Sequence, residues 1–179
     1  MCKWSLIFLV TLLDVIYSYN PITLTTRTIL KEVRSETIHK FLASPANWPK
    51  IVASSHSVKP DSTKSFDLNN PLPEGGLVQE IFGLPPILPL SVTWKCIRSD
   101  MKSGYLEFCS PDGLRGIASN CRMVFEIEDS TSNGNACTNV KLDMSYEPQS
   151  VFGVLAPPIL TVDNAFALKV LLPFVLSRE

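Results

Sequence analysis

Charge is scarce in this chain. Only 18% of its 179 residues are Asp, Glu, Lys or Arg, and the formal net charge is −1. No basic run or stripe occurs, so a phosphate backbone would find little to hold, and no nucleic-acid partner is expected. Histidine is confined to His39 and His56. The five cysteines, Cys2, Cys96, Cys109, Cys121 and Cys137, include no CxxC pair. A zinc site is therefore unsupported, and neither a metal nor a cofactor is expected. No Asn-x-Ser/Thr acceptor is present, so N-linked glycans are not expected. No repeat of roughly 20 to 50 residues points to a solenoid.

Apolar residues are plentiful, at 45%. The length suits one domain with a full core. Residues 1–18 differ from the rest: one Lys precedes SLIFLVTLL, nine residues without charge, and Asp14 ends the run. That run is shorter than the about 20 apolar residues a bilayer span needs, and it matches the apolar region of a signal peptide. We therefore expect a signal peptide over 1–18, a single domain over 22–179, and a secretory or extracellular destination, with a plastid or another organelle as the alternative.

ITLTTRTILKEV is rich in β-branched residues and reads as a first strand. Ser35 is placed as the N-cap of a short helix whose Ile38, Phe41 and Leu42 share a face. Ser44-Pro45 stops it, and PANWPKIV reads as a second short helix. Six strands follow. Cys121, Met123, Phe125 and Ile127 alternate with Arg122, Glu126 and Glu128, and Val140, Leu142, Met144 and Tyr146 alternate with Lys141, Asp143 and Ser145, giving each strand one dry and one wet face. The same alternation turns Val92, Trp94, Cys96, Leu106 and Phe108 inward and Cys109 outward, which argues against a Cys96–Cys109 disulfide. The tail from Ser150 to Ser177 is a long apolar helix with a stripe of Ile159, Val162, Phe166 and Val170. Such a helix is expected to be wrapped by protein on most sides.

The predicted class is α+β: a curved seven-stranded antiparallel sheet around a long C-terminal helix, with two short helices after the first strand. SETIHKFLASPANWPKIV, LVQEIFG and YEPQSVFGVLAPPIL with its ALKVLLP continuation carry a resemblance. This order resembles the START-like, helix-grip superfamily, also called SRPBCC or polyketide cyclase/dehydrase and lipid transport, and the helix pair is similar to that of coenzyme-Q-binding members. The resemblance implies an internal cavity for a small hydrophobic ligand such as a lipid, quinone, sterol or polyketide.

Successive hairpins alternate between the ends of an antiparallel sheet. The 84–89 loop, the 111–120 loop and the 147–156 connection therefore cluster at one end, and both copies of the PPIL sequence lie there. In the superfamily this end resembles the cavity mouth, and Gly83-Leu84-Pro85 resembles the gate loop of the abscisic-acid-receptor branch. Gly83, Leu84, Pro85, Ile87 and Leu114 are expected to form the gate, with two glycines giving Gly113–Gly116 mobility. Trp48, Ile51, Trp94, Phe108, Met123, Phe125, Met144, Tyr146 and Phe166 are expected to line the cavity, with Asp163 as its polar group, paired with Tyr146.

A non-catalytic carrier or receptor, acting as a monomer, is the first functional reading. A cyclase or dehydratase is the second, although Arg122, Glu126, Lys141 and Asp143 fall on wet faces, the two histidines read as surface or capping groups, and no catalytic residue is assigned. A transient membrane contact through the clustered PPIL loops is the third.

Overall fold

The computed structural model describes residues 20–61, 66–84, 88–132 and 134–178. The presumed signal peptide, Pro85 and Ile87 lie outside them. The elements are β1 (Ile22–Lys31), α1 (Ser35–Ala43), a 3₁₀ turn (Pro45–Asn47), α2 (Trp48–Ile51), β2 (Ser55–Pro60), β3 (Leu77–Leu84), β4 (Leu88–Asp100), β5 (Tyr105–Ser110), β6 (Ala118–Ser132), β7 (Asn135–Pro148), α3 (Val151–Leu155) and the long helix α4 (Pro157–Leu176). One antiparallel sheet runs in the order β1-β7-β6-β5-β4-β3-β2. This is the expected helix-grip arrangement.

The α1–α2 junction shows why SPANW stands where it does. A helix leaves its last four carbonyls without partners. Here Ser44 Oγ donates to Lys40 O at 2.8 Å, Asn47 Nδ2 to Phe41 O at 3.1 Å, and Trp48 Nε1 to Leu42 O at 2.9 Å. The Leu72 backbone N–H donates to Ala43 O at 2.8 Å. Pro45 forbids helical continuation, and the residues around it satisfy what the break exposes. The other end of α1 departs from expectation. Ser35 is the first helical residue, not the cap. Its N–H and hydroxyl donate to Asp129 on β6, at 2.9 and 2.7 Å.

The sheet follows the alternation closely. Val92, Trp94, Cys96, Leu106, Phe108, Phe125 and Ile127 are buried, while Arg122, Glu107, Glu126, Lys141 and Asp143 form ion pairs on the wet face. A bulge at Ile97 leaves Cys96 opposite Phe108 and Lys95 opposite Cys109, so Cys96 and Cys109 stay on opposite faces. Cys96, Cys109, Cys121 and Cys137 are free thiols. Burial pushes Cys96 and Cys121 up to about 11, which keeps both protonated and unreactive. His39 is a correction: it is 1% exposed, and burial lowers its pKa.

The last helix is the main departure. It buries Ala167, Leu168 and Leu172 and packs Leu160, Leu171, Val175 and Leu176 against the core more loosely, and Pro157–Phe166 contains no buried residue. Ile159, Val162, Phe166 and Val170 are 43–74% exposed. The helix is therefore gripped on one face only, rather than wrapped. A π turn over Ala167–Leu171 precedes Pro173, with Leu172 N–H bonded to Ala167 O. Proline has no N–H for the carbonyl four residues back, and its ring crowds that carbonyl, so a wider turn relieves both.

Trp48→Phe should keep most of the edge contact with Phe108, at 5.2 Å between ring centroids, while orphaning Leu42 O. The expected loss is about 1–3 kcal/mol, read by urea denaturation. A change below about 0.5 kcal/mol would mean that water replaces the indole donor.

Candidate functional site

The rim of the grip is tied together by backbone. Leu114 and Ala118 exchange hydrogen bonds at 2.8 and 2.9 Å, Asn120 N–H donates to Pro111 O at 3.0 Å, and Gln149 N–H donates to Ile117 O at 2.8 Å. A Cβ at Gly113 would stand 2.3 Å from Ala118 O, and one at Gly153 would stand 2.2 Å from Ile117 O. Gly113 and Gly153 serve close approach, while Gly116 has positive φ and open space around it. The 111–120 segment thus holds α3 against the sheet end. Leu114 is partly buried in that knot. The facing hairpin pairs Gly83 with Pro89 and Leu84 with Leu88.

Tyr146 and Asp163 do not pair. The Tyr146 hydroxyl donates to Gly153 O at 2.8 Å, while Asp163 accepts from Ser54 Oγ at 2.9 Å. Asn164 Nδ2 approaches Met144 Sδ at 3.7 Å. The inner side of α4 thus reaches Ser54, just before β2, with one residue and β7 with the next, spanning both walls of the grip.

Burial changes along this interior. At the end near α1, Ile38, Leu106, Phe108, Leu168 and Leu172 are no more than 1% exposed. Toward the rim, Phe82, Met123, Leu114 and Leu160 are only partly buried, as are Met144 and Asp163. Of the expected lining residues, Trp48, Ile51, Trp94, Phe108, Phe125 and Tyr146 belong to the packed interior. Met123 and Met144 face each other across β6 and β7 and are partly buried, nearer the rim. Phe166 is 43% exposed on the outer side of α4 and does not line the interior.

The sequence reading missed Glu80. On β3, Val78 and Glu80 are buried at 0% and 7% exposure, alternating with the half-exposed Gln79 and Ile81. The Trp94 indole N–H donates to Glu80 Oε2 at 2.9 Å. Burial pushes the Glu80 pKa up. The hydrogen bond from Trp94 and the nearby Ser55 hydroxyl oppose that shift, and the charge of Asp163 adds to it. Ser55 is buried beside Glu80 and eases its ionisation, yet its hydroxyl closes no hydrogen bond of ordinary geometry. An acid in an apolar interior, with a second carboxylate bearing on it, is shifted toward its neutral form. As a neutral group it has an O–H to donate. A separate open groove of about 500 Å³ lies at the far end of α4, lined by Ile29–Val33, Pro173, Leu176 and Ser177.

This architecture is the START-like helix-grip fold. Major latex-like protein 151 from Panax ginseng superposes with a TM-score of 0.56 at 10% identity, over 82% of this chain and 97% of that one. The di-domain ARO/CYC BexL from the BE-7585A biosynthetic pathway superposes with a TM-score of 0.61 at 13% identity, over 84% of this chain and 46% of that one. XoxI from Bacillus cereus gives a TM-score of 0.61 at 15% identity, over 83% and 92% of the two chains. No family model and no curated sequence matches the chain.

Glu80 supplies a pH test. Its folded pKa is raised above the ordinary 4.5, so the folded chain keeps a proton that the unfolded chain has released. Across that window stability falls as pH rises. Glu80→Gln should flatten the fall, so thermal melts between about pH 5 and about pH 8 should show a smaller decline in Tm than wild type. Parallel profiles would show Glu80 to be ionised throughout.

Proposed function

We propose that this protein binds a small, largely apolar molecule between α4 and the sheet, with neutral Glu80 donating a hydrogen bond to an oxygen of the ligand. One observation carries this reading: a buried carboxylic acid, beside a buried serine hydroxyl without a partner, stands in an apolar interior below a helix segment that has no buried residue. An unsatisfied hydroxyl such as that of Ser55 costs about 1–3 kcal/mol in such a place, and a ligand oxygen would offset that cost. Met123, Met144 and Leu160 supply adaptable apolar walls, since unbranched thioethers fit irregular shapes. The paired ends of β3 and β4, Gly83 with Pro89, stand at the lip on this reading. The likeness to solved structures supports the scaffold and leaves the ligand's identity to experiment.

Glu80 also favours a second reading, in which the same acid moves a proton in a cyclisation or dehydration. The two readings differ in what happens to the ligand. A carrier returns it unchanged, whereas an enzyme releases it with a different mass or structure.

Native mass spectrometry of protein purified from its own source should show a bound small molecule. Leu160→Trp, which fills the space under α4, should weaken its recapture at least about tenfold while the far-ultraviolet spectrum is kept. Glu80→Ala should weaken it by about 1–3 kcal/mol. An empty wild-type protein that captures nothing from a lipid extract of its source would overturn the proposal. Conversion of the captured molecule by wild type, but not by Glu80→Gln, would favour the enzyme.

A further inference from the structure

The outer face of α3 and α4 is apolar over its whole length. Phe152, Leu155, Ile159 and Val162 are 64–75% exposed, and Phe166, Val170 and Phe174 continue the line at 43–50%. Steps of three and four residues keep them on one side of the helix, and the π turn at Ala167–Leu171 keeps Phe166, Val170 and Phe174 in register. A helix of 20 residues makes this a ridge about 30 Å long. Scattered apolar side chains are normal on a monomer, but a continuous ridge of this length marks a contact.

The charges choose the occupant. Within the described residues of α3, α4 and the following turn, the exposed ionic groups are Lys169 and Arg178, with Arg178 lying 3.8 Å over the Phe174 ring. The one carboxylate in that stretch, Asp163, is turned inward to Ser54. Among the described residues, this face on a second copy offers Lys169 and Arg178 no outward carboxylate. A lipid surface carrying anionic headgroups supplies the missing sign, and it accepts a convex ridge without needing a matching groove. Length and composition alone would let α4 cross a bilayer. However, Leu168 and Leu172 are buried on the sheet at 1% and 0% exposure, so in this fold the helix lies along a surface and does not cross it.

We propose that the outer face of α3 and α4 docks onto an anionic bilayer surface. Phe152, Leu155, Ile159 and Val162 enter the headgroup–acyl boundary, and Lys169 and Arg178 meet lipid phosphates. The contact is carried by the helices, not by the hairpin loop expected from the sequence. It does not depend on the ligand-binding proposal.

Flotation of the full chain with phosphatidylcholine vesicles, with and without phosphatidylserine, tests this. Wild type should float with the anionic vesicles and release at least several-fold as salt rises from about 0.1 M to about 0.5 M. Ile159→Ser combined with Val162→Ser should lose at least about tenfold in vesicle affinity, and its melting temperature should hold because both side chains are already outside. Lys169→Glu should weaken anionic binding and leave the residual neutral binding in place. Absence of flotation, or flotation indifferent to these substitutions, would overturn the proposal. So would a concentration-dependent dimer, seen by sedimentation velocity, that the double substitution disperses. Ligand capture measured on the double variant keeps the two proposals apart, because it should remain at the wild-type level.

Discussion

The structure depends on how little of α4 the sheet holds. Ala167, Leu168 and Leu172 are the buried residues of a helix that runs from Pro157 to Leu176. They anchor its second half into the closed end of the grip, against α2 and β1. The first half is held by Leu160 against the core, by polar contacts, Asp163 to Ser54 and Asn164 to Met144, and by the α3 junction, where Tyr146 and Gln149 reach Gly153 and Ile117. A helix nailed at one end and leaning at the other is at most partly buried along its first half. Glu80, Ser55, Met123 and Met144 are grouped toward that half. Packing of Ala167, Leu168 and Leu172 fixes the second half, while Leu160 and the two polar contacts seat the first.

Most of the fold could be read from local pattern. Alternation on β4 to β7 chose most of the buried set, with Met123 and Met144 only partly buried and Val124 buried on the other face, and a one-residue slip would have put Arg122 or Asp143 in the core. The break between α1 and α2 was legible because Ser-Pro is local. Its function was not. The sequence places Ser44, Asn47 and Trp48 in a turn, but only the folded junction shows them donating to three successive helix carbonyls. The cap from Asp129 to Ser35 spans 94 residues, so no window of sequence contains it.

The site was legible in part, and the reasons differ by residue. Glu80 was within reach of the same alternation that placed Trp94, since Val78 and Glu80 occupy successive inward positions of one strand. The acidic side chain hides the pattern, because a carboxylate is expected on the wet face. Asp163 was visible as a polar group on an apolar helix, but its partner depends on which side of that helix meets the sheet. The stripe of Ile159, Val162, Phe166 and Val170 was also visible. A helix apolar on every side gives no sign of which stripe the core takes, so periodicity could not show that this one faces out.

The two faces of α4 therefore have separate physical explanations for the same hydropathy. Apolar residues at Ala167, Leu168 and Leu172 follow from packing on the sheet, which buries them fully. Those at Ile159 and Val162 do not, because water is their neighbour in the isolated chain and polar residues there would leave the core contacts intact. Asp163 sits immediately beside Val162, yet turns its carboxylate inward to a serine hydroxyl. The arrangement places the polar side chains of this half-turn inside the grip and the apolar ones outside it, the reverse of what a soluble domain with a solvated last helix would select. An apolar medium on the outside and a polar-ended guest on the inside account for that inversion together, and the inward carboxyls are then the groups that such a guest would meet first.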